Sequence, residues 1–237
     1  MCTKSFFYGT IKHMLEVKNV KVEYYGEELA VLNFAFEKGV TLILGEVGSF
    51  KSTLFRIIGG IKEIPDGEIA IDGRQIEEVP PRERNMAYVG LDSTPEHGKT
   101  VKNLMKPLRL RGVNRREALT AATEAAKREN VPLVSMKRLT RADLLSFFRA
   151  RLSLRETQVT MFDEPYHYFG EENADRITDT IRSRGGYTLV SSCDGGDIER
   201  LKPDYLVIVR QDKVLQSGKT EDVLAAPMDT YVELLIK

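Results

Sequence analysis

Residues 40–61, VTLILGEVGSFKSTLFRIIGGI, contain the pattern that decides the fold. The apolar run 40–44 is too short for a helix and ends at a glycine, so it predicts a buried strand. A glycine-bearing loop, 45–50, follows, and a helix is expected to begin at Lys51. Its apolar residues recur at helical spacing and share one face: Leu54, Ile57, Ile58 and Ile61. A strand that turns tightly into a helix directs free N–H groups and the helix dipole at one point, which favours an anion.

The loop and the first helical turn contain the residue types of a nucleotide phosphate site: Gly45, Gly48, Ser49, Lys51, Ser52 and Thr53. We expect the N–H groups of Gly48 and Ser49 and the ammonium of Lys51 to hold a triphosphate. The hydroxyl of Ser52 is expected to contact a magnesium ion. A plain strand–turn–helix with an exposed lysine is the alternative interpretation.

Phe50 departs from this pattern, which has glycine directly before the lysine. Glycine is preferred where the backbone adopts a positive φ or approaches a phosphate. A bulky residue held at positive φ costs about 1–3 kcal/mol, and its ring must point away from the ligand. The phosphate-site hypothesis therefore needs support from elsewhere in the chain.

Composition indicates a globular protein of 237 residues, either one large domain or two closely joined subdomains. The 35 basic and 35 acidic residues balance, so no net field favours nucleic acid, and we expect no nucleic-acid partner. Cys2 and Cys193 suggest neither a disulfide framework nor a zinc site. No signal-peptide core or membrane-length apolar run is present, which predicts a cytoplasmic protein.

A second group of candidate residues follows the apolar run at 159–162. Asp163 and Glu164 come at the carboxyl end of this predicted strand, where ligands bind in sheets of parallel strands. Asp163 is expected to hold magnesium, and Glu164 to act as general base toward an attacking water. For an Asp-Glu-Pro triplet taken in isolation, an ordinary capped strand end is the favoured explanation.

The order of elements predicts an α/β fold with a mostly parallel sheet and flanking helices. Residues 14–37 indicate a small N-terminal antiparallel sheet, and residues 1–13 an appended extension. Asp72-Gly73 indicates a hairpin, and residues 92–155 an inserted helical subdomain. Strand–helix alternation then resumes, with a helix expected to be closed by Gly185 and Gly186.

Taken together, these motifs resemble the ATP-binding subunits of ABC transporters, from Met14 to the end of the chain. The residues IDGRQIEEVPPRERNMAYV at 71–89 look most like the sugar-importer branch. The resemblance implies a P-loop NTPase core with ATP and Mg²⁺ as ligands, transmembrane permease partners and a second ATP-binding subunit. It places the protein on the inner face of the cell membrane, and makes Tyr25, before a glycine, the adenine platform. That branch usually carries a C-terminal regulatory domain, which we expect this chain, ending at Lys237, to lack.

Several positions depart from the family. The signature loop LSGGQ becomes LTRAD at 139–143, where Thr140 could replace the serine. The glutamine, histidine and aspartate expected elsewhere become Leu91, Cys193 and Gly170. By resemblance, hydrolysis is expected to be impaired, because loss of one positioned polar group costs about 10²–10³ in rate. A heterodimer with an intact paralogue is favoured.

Three alternatives remain. The chain could be a pseudo-ATPase, a structural half that retains the fold and docking surface without hydrolysis. A soluble ABC protein of DNA repair or translation would need a long coiled-coil insertion or a second cassette, for which 237 residues leave no room. A Rossmann dehydrogenase is disfavoured because the loop lacks G-x-G-x-x-G and carries Lys-Ser-Thr at 51–53.

Overall fold

The structure, a computed structural model, describes residues 13–95 and 97–236. It confirms the predicted α/β fold. Ten strands occur in the described residues: β1 (Met14–Tyr24), β2 (Glu27–Glu37), β3 (Gly39–Leu44), β4 (Glu68–Ile71), β5 (Arg74–Gln75), β6 (Met86–Val89), β7 (Val159–Asp163), β8 (Tyr187–Ser192), β9 (Tyr205–Arg210) and β10 (Lys213–Lys219).

Six strands form the larger sheet, in the order β10-β9-β3-β8-β7-β6. All neighbouring pairs are parallel except β10 with β9. Strand β8 therefore lies between β3 and β7, pairing Leu44 with Ser192 on one side and Asp163 with Ser191 on the other. The carboxyl ends of these three strands consequently meet at one edge of the sheet, which is where such sheets bind ligands.

The smaller sheet is antiparallel, in the order β2-β1-β4-β5. The sequence predicted the β1–β2 pair and the hairpin at Asp72-Gly73, and both are confirmed. It did not predict that β4 joins the N-terminal pair, with Leu15 opposite Ile71 and Val17 opposite Ile69. Alternating burial along β1 and β4 explains this pairing, because both strands must cover one apolar face.

Nine α-helices occur in the described part of the chain: α1 (Lys51–Ile58), α2 (Thr100–Arg109), α3 (Arg115–Arg128), α4 (Arg141–Ser153), α5 (Pro165–Phe169), α6 (Ala174–Arg182), α7 (Asp197–Leu201), α8 (Thr220–Ala225) and α9 (Thr230–Leu235). Helices α2–α4 lie between β6 and β7, in the stretch predicted to be helical. The short helices α5 and α7 were not predicted. Within residues 13–95 and 97–236, no helix combines the length and apolarity needed to cross a bilayer.

Two details of the predicted helices are wrong. Helix α1 ends at Ile58, so Ile61 lies outside it and is 59% exposed. Helix α6 ends at Arg182 with Ser183 as its right-handed cap, so the predicted glycine cap does not form there. Gly186, at φ 71°, instead lets the chain pass the carbonyl of Gln158, which a Cβ would approach within 2.4 Å. The division into an extension at 1–13 and a cassette from 14 onward stays a prediction, since residues 1–12 lie outside the described residues.

The larger sheet separates two apolar clusters. One lies against helices α2–α9 and includes Leu42, Leu44 and Phe162. The other lies between the two sheets and around α1, and includes Ile43 and Phe55. Because β3 contributes alternate side chains to both clusters, burial on both of its faces fixes the strand that leads into the loop at 45–50.

Arg84 is a charged residue that is only 6% exposed, and it anchors the carboxyl end of α1. Its guanidinium donates to the carbonyls of Ile57 and Ile58, at 3.0 and 2.7 Å, where a helix leaves carbonyls unpaired. It also donates to the carbonyls of Val79 and Glu77, at 2.8 and 2.9 Å. A positive charge is favourable at a helix carboxyl end, so this side chain ties α1 to the segment between β5 and β6.

Replacing Arg84 by methionine is expected to destabilise the fold by about 3 kcal/mol or more, because two buried and two part-buried carbonyls lose a charged donor. Arg82→Met is the matched control: Arg82 is exposed and its ion pair is with its neighbour Glu83, so about 0.5 kcal/mol or less is expected. Chemical and thermal unfolding of the two variants measure the difference. Equal losses would contradict the anchoring role of Arg84.

Candidate functional site

The loop at 45–50 turns into α1 through a left-handed residue. Phe50 has φ 59° and ψ 11°, and its carbonyl accepts the first helical hydrogen bond, from Leu54 N at 2.8 Å. The helix begins at Lys51, as predicted, and the positive φ expected for Phe50 is confirmed. The half-buried ring packs against the cluster between the sheets, although Phe50 also forms part of the cavity wall described below. Burial of the ring offsets part of the backbone strain.

Lys51 is directed into the loop rather than into solvent. The residue is 6% exposed, and its Nζ donates to the carbonyls of Gly45 and Glu46 at 2.6 and 2.9 Å. The Ser49 hydroxyl lies 3.2 Å and the Cys193 sulfur 3.3 Å from the same nitrogen. An ammonium has three protons, so these four acceptors share them. The ammonium therefore lies among two backbone carbonyls, a hydroxyl and a sulfur, and a phosphate oxygen would compete with these acceptors for its protons.

The other residues predicted for the loop divide into two groups. Gly48, at φ 89°, Thr53 and Ser49 line the cavity together with Lys51 and Ser52. Ser49 directs both its N–H and its hydroxyl at the carbonyl of Glu46, which closes a turn. Gly45 is not part of the cavity wall. Its missing side chain allows β3 to approach β9, because a Cβ there would lie 2.3 Å from the Val209 carbonyl.

Asp163 contacts Ser52 across the sheet edge, as the metal-site hypothesis requires. Its Oδ1 accepts from the Ser52 hydroxyl at 2.9 Å and from the Ser191 hydroxyl at 2.6 Å. Its Oδ2 accepts from the Tyr88 hydroxyl at 2.7 Å. Burial and this hydrogen bond raise the pKa of the Tyr88 phenol well above its usual range, so it remains a donor. The sequence did not lead us to Tyr88 or Ser191 as site residues. The serines that end the otherwise apolar strand β8 could have indicated Ser191.

Glu164 has a left-handed backbone conformation, with φ 47° and ψ 51°. Its carboxylate contacts Cys193, which by resemblance stands where the family has a histidine. Oε1 accepts from the Cys193 thiol at 3.0 Å, and Oε2 from the Cys193 amide at 3.3 Å. Lys51 Nζ lies 3.9 Å from Oε1. Burial, the hydrogen bond to Glu164 and its charge raise the pKa of the Cys193 thiol, and Lys51 opposes this shift. The thiol is thus held protonated as a donor to Glu164.

Tyr25 lies apart from these residues. With Gly26 it forms the two-residue turn between β1 and β2, where both have positive φ, 52° and 81°. Its ring is 92% exposed and meets the Tyr24 ring edge-on at 4.4 Å between centroids. The structure does not bring Tyr25 into the cavity wall, and turn geometry alone accounts for its position.

The phosphate loop forms one wall of a cavity of about 690 Å³, a volume typical of small-molecule sites. The remaining wall comes from three regions: the start of α4, α5 with the turn after it, and the segment from the end of β8 into α7. Their lining residues are Arg141, Glu164, Tyr166, His167, Gly170, Glu171, Ser192, Cys193, Asp194, Asp197 and Arg200. The sequence did not predict that Arg141 and His167 would share a cavity with Lys51.

The LTRAD segment forms a capping box at the start of α4. The Thr140 hydroxyl donates to Asp143 Oδ2 at 2.7 Å and accepts from the Asp143 amide at 3.2 Å. The Thr140 amide also donates to Asp143, at 3.0 Å. To act as the signature serine, the Thr140 hydroxyl would have to give up its bonds to Asp143, so that role stays a prediction.

The donor set at the sheet edge fits magnesium, a hard cation that prefers oxygen ligands and keeps several waters. The Ser52 hydroxyl and the Asp163 carboxylate provide such oxygens 2.9 Å apart. No cluster of three or more His, Cys, Asp or Glu side chains suited to a metal occurs in the described residues. Magnesium sites with one or two protein ligands complete the coordination shell with waters and with phosphate oxygens of a substrate.

The β3–loop–α1 unit with Lys51 and Ser52, facing Asp163 from a neighbouring parallel strand, defines a P-loop nucleotide-binding fold. Comparison with known proteins makes this specific: the ABC transporter family model matches residues 29–167, and the chain belongs to that family.

Similar proteins include the sn-glycerol-3-phosphate import ATP-binding proteins UgpC 1 of Rhizobium johnstonii, 29% identical, and UgpC of Rhodopseudomonas palustris, 30% identical. The alignments cover 92% and 93% of this chain but 62% and 63% of those relatives. The fold also matches a nucleotide-free ATP-binding cassette from an ABC transporter, with a TM-score of 0.73 at 17% identity, covering 93% of this chain and 98% of that one.

Alkylation of Cys193 by iodoacetamide, in a Cys2→Ser background, measures the contact with Glu164. In the protein that keeps Glu164, the pKa of the Cys193 thiol is raised, so the reactive thiolate still increases above about pH 9. The alkylation rate should therefore keep rising beyond about pH 9. Glu164→Gln removes the negative charge, lowers that pKa and should accelerate alkylation several-fold at pH 8. Glu171→Gln, in the same cavity but without a contact to Cys193, is the control. Identical pH profiles for all three proteins would contradict the contact.

Proposed function

We propose that this chain is an ATP-binding subunit of an ABC importer, with impaired hydrolysis, that couples nucleotide-driven dimer closure to a membrane permease. The observation that carries the proposal is the contact between Ser52 and Asp163 beside the buried ammonium of Lys51. This arrangement joins a phosphate-binding charge to two metal-binding oxygens. The named functions of the glycerol-phosphate import relatives support the importer assignment.

In this proposal the chain's residues have distinct roles. Lys51 exchanges its bonds to the Gly45 and Glu46 carbonyls for phosphate oxygens, while the N–H groups of Gly48 and Ser49 line the phosphates. Ser52 and Thr53 also hold the triphosphate, and Ser52 and Asp163 hold the metal, with Tyr88 and Ser191 fixing the Asp163 carboxylate. Bound Mg²⁺ neutralises phosphate charge. Tyr25 stacks on adenine only if the β1–β2 turn approaches the cavity.

Slow chemistry follows from the surroundings of Glu164. A general base must accept a proton from water, but both oxygens of this carboxylate already accept from Cys193. The thiol also occupies the position of the family's histidine and offers a weak donor in place of an imidazole. These contacts favour a site that binds ATP and hydrolyses it slowly.

A pseudo-ATPase is the second candidate, because the left-handed Phe50 and the bonds of Lys51 to its own loop both oppose nucleotide entry. In that case the chain acts as the structural half of an assembly. Under either candidate we propose a dimer with a second ATP-binding subunit. We favour a heterodimer, since Arg141 and Asp143 put bulk and charge at the start of α4, where the family's signature approaches a partner's nucleotide.

The location follows from the same proposal. The chain acts as a cytoplasmic protein, peripheral on the inner membrane face through permease subunits, with no nucleic-acid partner. Residues 14–237 form the cassette, residues 92–155 its helical subdomain, and residues 1–13 an extension.

Isothermal titration with Mg-ATP tests nucleotide binding directly. We expect measurable binding by the full chain and a loss of about 100-fold or more in Lys51→Ala, which removes the charge in the loop. Lys102→Ala, an exposed lysine on α2, should bind like the unchanged protein. Absence of heat with the unchanged chain would end the ATP-binding proposal and leave the pseudo-ATPase.

Restoring the family's glutamine and histidine tests whether their loss is what slows ATP hydrolysis. Leu91→Gln with Cys193→His should raise the rate of phosphate release by about tenfold or more, because the two substitutions restore the family's glutamine and histidine and release Glu164. Cys193→Ala is the control, since it releases Glu164 without adding an imidazole. Unchanged turnover in the double variant would place the defect elsewhere, such as at Phe50.

A further inference from the structure

We propose that the outward face of α2 is a docking surface for the headgroups of anionic phospholipids. Four basic residues form this face and are called the basic strip: Lys99, Lys102, Lys106 and Arg109. The inference goes beyond the proposed function, because binding of this kind requires neither ATP nor a permease. It gives the chain a direct contact with the membrane in addition to any contact through permease subunits.

The balanced charge of the whole chain conceals a strong asymmetry. Residues 92–155 contain 15 of the 35 basic residues but only 6 of the 35 acidic ones, which leaves 20 basic and 29 acidic residues for the rest of the chain. The region that contains α2 therefore has a formal charge of +9, and the remainder −9. A charge separation of this size orients a protein at an anionic surface, with its basic part toward that surface.

Helical spacing places the basic strip on one side of α2. Its members follow one another at intervals of three, four and three residues, which is the repeat of an α-helix. All four are exposed, whereas Thr100 and Leu104 on the opposite side are fully buried. At about 1.5 Å of rise per residue, the strip extends over about 15 Å. The charges thus form a line on the outer surface, as contact with a planar layer of headgroups requires.

The protein itself does not neutralise the basic strip. Helix α2 contains no acidic residue. Within residues 13–95 and 97–236, no strip residue forms an ion pair, and Arg109 donates to the carbonyl of Val113 at 2.7 Å. By contrast, Arg149 in the same region is paired with Glu129 at 2.7 Å. Like charges at this spacing on a helix repel one another, and an anionic surface relieves that repulsion.

Two features favour a membrane over a nucleic acid as the partner. Residues 98–131 contain no aromatic side chain, so the surface offers no platform on which bases could stack. Exposed leucines also lie at both ends of the strip. Leu110, 65% exposed, follows α2, and Leu133, 58% exposed, lies beside its amino end, where the Val134 carbonyl accepts from Thr100. Apolar side chains next to basic ones suit a lipid interface, since they enter the headgroup layer.

Co-sedimentation of the full chain with lipid vesicles, in the absence of nucleotide, provides the test. We expect binding to phosphatidylcholine vesicles that contain about one third phosphatidylserine, and little binding to phosphatidylcholine alone. Replacing all four strip residues by glutamine should lower the partition coefficient by about 100-fold, because each basic side chain near an anionic surface contributes to binding. Glutamine retains the helix propensity of lysine and arginine, so α2 should remain folded.

The matched control removes the same number and kind of charges from exposed positions outside residues 92–155. Glutamine replaces Arg82, Lys202, Lys213 and Lys219. Vesicle binding should then change less than about threefold, because charges farther than a Debye length from the lipid are screened. Equal losses in the two quadruple variants would show that only net charge matters and would overturn the inference. An unchanged partition coefficient in the strip variant would overturn it too.

Salt tests the unchanged chain without any substitution. Raising the ionic strength from about 0.1 M to about 0.5 M should release it from the vesicles, because the Debye length falls. Vesicle binding that survives this change would contradict a surface that acts through charge.

The leucine beside the strip tests the choice of lipid. Leu110→Ser should weaken vesicle binding by about fivefold, since an apolar side chain leaves the headgroup layer. Leu119→Ser, at a 46% exposed leucine on α3, is the control and should bind like the unchanged chain. Tighter binding to a labelled DNA duplex than to the vesicles, at the same ionic strength, would assign the strip to nucleic acid and overturn the inference. Failure of vesicle binding leaves the ATP-binding proposal intact, and the reverse also holds.

Discussion

The parallel pairing of β3, β8 and β7 is the constraint on which the rest of the site depends. Because β8 lies between the other two, the chain emerging from β3 meets residues that follow β8 and β7, which are over a hundred positions away in sequence. The contacts of Lys51 with Cys193 and of Ser52 with Asp163 are consequences of this ladder. Burial on both faces of β3 fixes the register, since a one-residue slip would exchange the two apolar clusters.

The spacing of apolar residues and the residues that cap or end each element were enough to predict most of the fold. Residues 40–44 and 159–162 are uninterrupted apolar runs, which sheets buried on both faces require, and Asn114 caps α3 through Glu117 as its residue type suggests. The sequence was less informative where contacts are distant. Nothing local indicates that β4 pairs with β1, or that α6 ends at Arg182 before its glycines. Such boundaries depend on packing that composition does not record.

The same distinction applies to the candidate site. The loop residues and Asp163 belong to local motifs, so the sequence could name them, and the left-handed Phe50 followed from a missing glycine. The partners that define their chemistry could not be named, because Tyr88 and Cys193 reach the site from separate strand ends. Cys193 could be predicted as a departure from the family, but its hydrogen bond to Glu164 required the folded chain.

The anchoring of α1 by Arg84 has a mechanical consequence. Arg84 joins two carbonyls at the carboxyl end of α1 to two carbonyls in the segment between β5 and β6, so the helix is held firmly at that end. We therefore expect α1 itself to deform little when its amino end is displaced. Deformation should instead concentrate in the loop at 45–50, and any movement of α1 should reach the segment at 77–79 through Arg84.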